Sequence, residues 1–156
     1  MSLREEVELL QRIPLFANVE ASKLKLLAFT SERIAFESGQ VLFRQGDAGD
    51  AAYIIIEGDA EVLVNGASGP IQVAVLGRNE IVGEIAILCD VPRTATIRAL
   101  QRLVCLRISK DLFLRLINEF PQIAVAVVRE LASRVEAGNQ KLRTALAEIE
   151  TLRRPA

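Results

Sequence analysis

Near the N-terminus, apolar positions recur at helical spacing. Leu3 to Ile13 carries Val7, Leu9, Leu10 and Ile13 and is stopped by Pro14, while Ala21 to Phe29 gathers Leu24, Leu27 and Ala28 on one side. Both read as small packing helices. From Arg33 to Ser109 the texture changes to short runs rich in Val and Ile, and eight of the nine glycines punctuate that half. The runs predict strands over Ile34 to Phe36, Val41 to Phe43, Ala52 to Glu57, Ala60 to Val64, Gln72 to Val75, Thr94 to Ala99 and Leu103 to Ile108. Many short strands with closely spaced turns point to an antiparallel barrel or jelly roll. Ser109 is placed to cap a helix running to Glu119, and Pro121 opens a last helix that continues to about Arg153. The predicted order is helices, barrel, helices.

The last helix carries a second pattern. Val128, Val135, Leu142 and Ile149 repeat as one heptad position, with Leu131, Gly138, Ala145 and Leu152 between them. Two readings stay open: a solvated tail beyond a packed first half, or a parallel coiled coil with a second copy, weakened by Gly138 on the seam. Composition narrows the chemistry. The 19 Lys plus Arg nearly balance the 20 Asp plus Glu, so no global field holds the chain to nucleic acid or an anionic membrane. There is no histidine, which removes the commonest general base and the imidazole metal ligand. The 2 cysteines, Cys89 and Cys105, have no metal spacing and read as reduced, partly buried thiols of a cytoplasmic protein. No apolar run approaches the roughly 20 residues of a membrane-spanning helix. The expectation is a domain with no catalytic residue, no metal site and no cofactor.

One stretch, Gly83-Glu84-Ile85-Ala86-Ile87-Leu88-Cys89-Asp90-Val91-Pro92-Arg93-Thr94-Ala95, carries the recognition chemistry. Gly83 lets backbone approach closely, and Glu84 to Leu88 has the composition of one helical turn with free N–H groups at its start. Arg93 offers a planar fork for two phosphate oxygens, and the Thr94 hydroxyl suits a phosphate or a purine edge. Glu84, an acceptor only when ionised, is repelled by phosphate but suited to a ribose 2′-hydroxyl. The plain structural alternative is that Glu84 caps a turn and Arg93 sits on a solvated strand end.

This segment resembles the phosphate-binding cassette of the cyclic nucleotide-binding domains found in catabolite activator proteins, protein kinase A regulatory subunits and cyclic-nucleotide-gated channels. A second segment, Phe43-Arg44-Gln45-Gly46-Asp47-Ala48-Gly49-Asp50 followed by Tyr53 to Gly58, is similar to that family's glycine turns between early strands. The resemblance covers roughly Pro14 to Arg134. It implies an eight-stranded antiparallel jelly-roll barrel with an N-terminal helical bundle and C-terminal B and C helices. It assigns Arg93 to the cyclic phosphate, Glu84 to the ribose 2′-hydroxyl, and Gly83, Ile85, Ala86 and Ala95 to the cassette, with Thr94 bonding the ligand. Val82 and, on a facing strand, Val73 would wall the purine. Arg134 falls where some channel domains place an arginine over the base, although pairing with Glu130 four residues earlier is an equal alternative. Asn139, about a turn further, matches a base-reading position of the dimeric transcription factors.

The chain therefore reads as a nucleotide-binding domain over residues 1–134, its barrel at about 33–109, followed by a helix over 121–153 that is a candidate for dimerisation. The implied ligand is a cyclic nucleotide, cyclic AMP before cyclic GMP, whose binding moves the C helix and signals to an unidentified effector. The helix after Pro121 leaves no room for a helix-turn-helix, so DNA binding by this chain alone is not expected. Two alternatives stay open: a piece of a catabolite-activator-type regulator without its DNA-binding part, and a degenerate module that binds nothing and serves for docking.

Overall fold

The computed structural model describes residues 2–154. Helix α1 (Leu3–Gln11), a 3-10 turn at Pro14–Phe16 and helix α2 (Ala21–Thr30) precede eight strands: β1 (Glu32–Phe36), β2 (Val41–Phe43), β3 (Ala51–Glu57), β4 (Ala60–Gly66), β5 (Gly69–Leu76), β6 (Ile81–Val82), β7 (Thr96–Ala99) and β8 (Leu103–Ser109). One short helix, α3 (Glu84–Leu88), interrupts the strands, and α4 (Lys110–Glu119) and α5 (Pro121–Arg153) follow them. Ser109 caps α4 as expected, its hydroxyl accepting from Leu112 N at 3.3 Å.

The strands form two four-stranded antiparallel sheets, ordered β1-β8-β3-β6 and β2-β7-β4-β5. No strand pairing joins the sheets among the described residues, so the closed barrel of the expectation is instead an open sandwich. Side chains rather than hydrogen bonds hold the layers together. Ala51, Tyr53, Ile55, Leu103 and Cys105 from the first sheet meet Ala60, Ile97 and Ala99 from the second. Small residues at these positions allow close approach, which interdigitated sheets require.

Alternation along β3 and β8 explains their nearly unbroken apolar sequences. Ala51, Tyr53 and Ile55 face the sandwich interior, while Ala52 and Ile54 belong to a second cluster under the helices. Leu103 and Cys105 face inward, and Leu106 and Ile108 turn to the helical side. A strand buried on both faces needs an apolar residue at every position. The helical layer contributes Val7, Leu10, Phe16, Leu24, Leu27, Phe113, Leu116, Ile123 and Val127 to the same cluster. The helices before the strands share one core with α4 and the start of α5. Beyond Leu131, α5 leaves this core, and its apolar positions Val135, Leu142 and Ile149 are exposed.

Ile54 is wholly buried where the first sheet meets the helical layer. Its truncation to alanine is expected to cost about 2–5 kcal/mol of unfolding free energy, measured by urea denaturation, through lost transfer energy and the cavity left behind.

Candidate functional site

The two sequence motifs converge on Arg93. Its backbone N–H donates to Asp47 O at 2.7 Å and its carbonyl accepts from Gly46 N at 2.8 Å, so the glycine turn after β2 is laced directly to the cassette. The turn is braced in its own right, with the Asp47 carboxylate accepting from Arg44 N at 3.0 Å and the Thr96 hydroxyl from Gln45 N at 2.9 Å. Residues far apart in sequence thus fix one backbone position.

The Arg93 side chain is 2% exposed. Its Nη1 donates to Gly83 O at 2.8 Å and its Nη2 to Ala51 O at 2.7 Å and Asp50 Oδ1 at 3.3 Å. The guanidinium lies over the Phe43 ring, 3.8 Å from its centroid. Burial lowers its pKa below the ordinary arginine value, opposed chiefly by the Asp50 carboxylate. Asp50 also accepts from Arg107 Nη2 at 3.2 Å, so one carboxylate steadies two cations. The Arg93 Nε is buried without a hydrogen-bond partner, leaving that donor of the fork unused. Gly83 makes this packing feasible. Its φ of 87° is left-handed, and a Cβ there would stand 2.6 Å from Arg93 Nη1.

Glu84, at the start of α3, is also 2% exposed. Its Oε1 accepts from Arg134 Nη1 at 3.0 Å. Arg134 extends from α5, and its Nη2 donates to Ile81 O and to Glu130 Oε1, the latter at 2.9 Å. Glu130 Oε1 accepts from Ile81 N at 3.3 Å as well. One arginine therefore joins α5 to β6 and to the cassette helix. The intrahelical pair with Glu130 that the spacing allowed is present, and the contact with Glu84 adds to it. Burial raises the Glu84 carboxyl pKa, against the pull of Arg134 and of the Glu84 backbone N–H. Glu130 is raised by burial too, again opposed by Arg134.

Between these groups lies a cavity of about 100 Å³. Gly83, Ile85, Ala86, Arg93, Thr94 and Ala95 of the cassette line it together with Val82 and Arg134. Glu84 is adjacent through Arg134, but its carboxylate is covered. Phe43, Val62, Leu76 and Ile97 complete the apolar side and were not singled out from the sequence. Two expected residues lie elsewhere. Val73 is 47% exposed and does not line the cavity. A bulge pairs Val62 with Ala74 and Leu63 with Gln72, leaving Val73 out of the ladder. Asn139 is exposed on α5, beyond the last turn that packs on the sandwich. Of the cysteines, Cys89 is exposed and Cys105 buried, so the shared partial burial expected of them does not hold. Burial pushes the Cys105 thiol up to about 12.

A larger groove of about 840 Å³ runs between the 3-10 turn, the β5–β6 turn and the start of α5. Its charges are mixed, Arg78 and Arg129 against Glu80 and Glu130, and none of the unpartnered buried polar atoms lies in its walls. The unused donors at Arg93 and Arg134 belong to the smaller cavity, and chemistry rather than volume identifies the site. Among the described residues no group of His, Cys, Asp and Glu side chains is placed to hold a metal ion, and no helix is long and apolar enough to cross a membrane.

Two antiparallel sheets, a glycine-started turn with a buried cation behind it and a helix whose Arg134 lines the same cavity define a β-sandwich with a small polar site at one edge. Residues 33–120 match the family model described as the cyclic nucleotide-binding domain, and the chain belongs to that family. It is 37% identical over 115 residues to a cAMP-dependent protein kinase regulatory subunit of Blastocladiella emersonii, a match covering 73% of this chain and 28% of that protein. The chain thus spans little more than a quarter of that relative. Among solved structures, the catabolite activator protein of Thermus thermophilus is 26% identical with a TM-score of 0.72, covering 85% of this chain and 62% of that one. The regulatory subunit of a cAMP-independent protein kinase A from Trypanosoma brucei shares the fold at a TM-score of 0.75 and 22% identity, covering 90% of this chain and 51% of that one. The class is that of regulatory cyclic nucleotide-binding domains.

The raised carboxyl of Glu84 has a consequence for stability. Its folded pKa lies above the ordinary 4.5, so its contribution is full below that value and is lost as pH rises through the folded pKa. The melting temperature of the wild type minus that of Glu84→Gln is therefore expected to fall as pH climbs from about 4 towards neutrality. A difference that grows over that range contradicts the assignment.

Proposed function

We propose that this chain is a cyclic-nucleotide receptor module, selective for cyclic AMP over cyclic GMP, that converts ligand binding into movement of α5 and has no catalysis of its own. The observation that carries the reading is Arg93: a buried guanidinium with an unpartnered Nε, backed by Phe43 and Asp50, at the cassette position that the family resemblance assigns to the cyclic phosphate. The adjacent Glu84 supplies an acceptor suited to a ribose 2′-hydroxyl, and Val62, Val82, Leu76 and Ile97 provide an apolar wall for a base. The preference for cyclic AMP rests on the relatives named as cAMP-dependent regulatory subunits.

Isothermal titration of nucleotide-stripped protein with cyclic AMP, cyclic GMP and linear AMP tests this reading. Micromolar or tighter binding of cyclic AMP is expected, with cyclic GMP weaker and linear AMP much weaker. Arg93→Lys keeps the charge but loses the fork, and is expected to lose about tenfold or more in affinity, as a charged bidentate contact implies. Absence of heat with either cyclic ligand points instead to a domain kept for docking.

The exposed stripe Val128, Val135, Leu142 and Ile149, with Leu146 and Leu152 beside it, supports pairing of α5 with α5 of a second copy. In that homodimer α5 carries the nucleotide signal onward to an effector. Light scattering at tens of micromolar protein is expected to give the mass of two chains, reduced to one by Leu142→Asp. A single-chain mass for the wild type rules the pairing out.

A further inference from the structure

Resting on the receptor reading above, the site geometry assigns a role to Arg134 opposite in sign to that of an arginine stacked over a purine. The carboxylate that would read the sugar is 2% exposed, and its Oε1 is already taken by Arg134 Nη1 at 3.0 Å. The Arg134 Nη2 is held by Ile81 O and by Glu130, whose carboxylate is tied in turn to Ile81 N. Arg134 also lines the cavity, whose volume of about 100 Å³ is well below the roughly 300 Å³ at which small-molecule sites begin. The sugar reader is sealed in this arrangement.

We infer that Arg134 sets nucleotide affinity and sugar selectivity by competing with the ribose 2′-hydroxyl for Glu84. The carboxylate has acceptor sites to spare, but Arg134 also lines a cavity too small for a nucleotide, so in this proposal the sugar reaches Glu84 as Arg134 withdraws. Withdrawal is feasible for this side chain. It is 28% exposed, its Nε has no partner, and α5 is free of the core from just beyond Leu131. A buried carboxylate left bare is costly, so exchanging one donor for another is favoured over simple release. Binding of the sugar and loosening of the α5 contact with the cassette are therefore one event.

The experiment reads a ratio. Wild type, Arg134→Gln and Arg134→Lys are titrated with cyclic AMP and with its 2′-deoxy analogue, and the deoxy-to-ribo ratio of dissociation constants is compared among them. Loss of the positive charge weakens attraction for both phosphates alike, so the ratio isolates the contest at Glu84. The ratio is expected to rise about fivefold or more in Arg134→Gln, the scale of ordinary coupling between sites, with Arg134→Lys between it and the wild type. Arg134→Lys keeps a cation beside Glu84 and guards against a folding defect in the glutamine variant. An unchanged or smaller ratio in both variants overturns the competition and leaves the receptor reading standing. Failure of all three proteins to bind either nucleotide overturns the receptor reading and the competition with it.

Discussion

A positive charge sealed from water at Arg93 is the constraint around which the site is built. Removing an ion from water costs several kcal/mol unless partners replace its hydration. Here the replacements are four groups from three parts of the chain: the carbonyl of Gly83 before the cassette helix, the Asp50 carboxylate and the adjoining carbonyl of Ala51 at the start of β3, and the face of Phe43. Each partner fixes something else. Gly83 has to lack a side chain, the turn after β2 has to close onto the cassette, and β3 has to begin where it does. The sandwich is the scaffold that brings these four groups to one point. The Nε and a second hydrogen on Nη1 are left unused on a fork that is otherwise immobilised, and such a preset group loses little freedom when it meets an anion.

How much of this could be read from the sequence depended on the range of the interaction concerned. The bounds of β2 and α5 and the cap of α4 follow from local pattern and local chemistry, and they match. The strand β6, two residues long, is too short to show a period, although Ile81-Val82 has strand composition. Alternation tells which face a residue takes but not whether two sheets join at their edges, which is why a sandwich could be taken for a barrel. Val73 was misplaced because the larger apolar residues of β5, Val73 and Val75, stand on its exposed face while Ala74 and Leu76 are the half-buried ones, so the apolar pattern there points to the wrong face. Phe43 and Asp50 stand inside a motif that drew attention for its glycines, yet their partner Arg93 lies too far along the chain for spacing to reveal the contact. The pair Glu130 and Arg134 was legible as neighbours on one helix turn, whereas Glu84 reaches Arg134 only through the tertiary fold.

The architecture and the ligand are separate matters in this family. The regulatory subunit of a cAMP-independent protein kinase A from Trypanosoma brucei shares the fold, and a shared fold does not by itself fix what is bound. Choice falls to side chains in a few cassette positions. Arg93 and Glu84 oppose each other chemically, one suited to phosphate oxygens and the other to hydroxyls, and the short turn of α3 between them fixes their separation. In the proposed receptor, a ligand satisfies both only when phosphate and hydroxyl are held at a matching distance on one rigid sugar. Selectivity of this kind is a property of geometry more than of total binding energy.

In the proposed receptor, the way α5 is attached gives that selectivity a mechanical outlet. Its first turns are anchored by Ile123 and Val127 in the helical core, and Arg134 provides the last contacts with the β layer, through Ile81 and Glu84. The later described turns are exposed and carry the apolar stripe. From Leu131 to Arg153 the helix rises about 33 Å at 1.5 Å per residue, so a small change of angle near Leu131 becomes a displacement of several ångströms at its far end. In the proposed receptor such a shift does not require breaking the core, because Ile123 and Val127 are packed before Leu131 and Arg134 comes after it. The contact that covers the sugar-reading carboxylate is thus also the one that holds the lever against the sandwich.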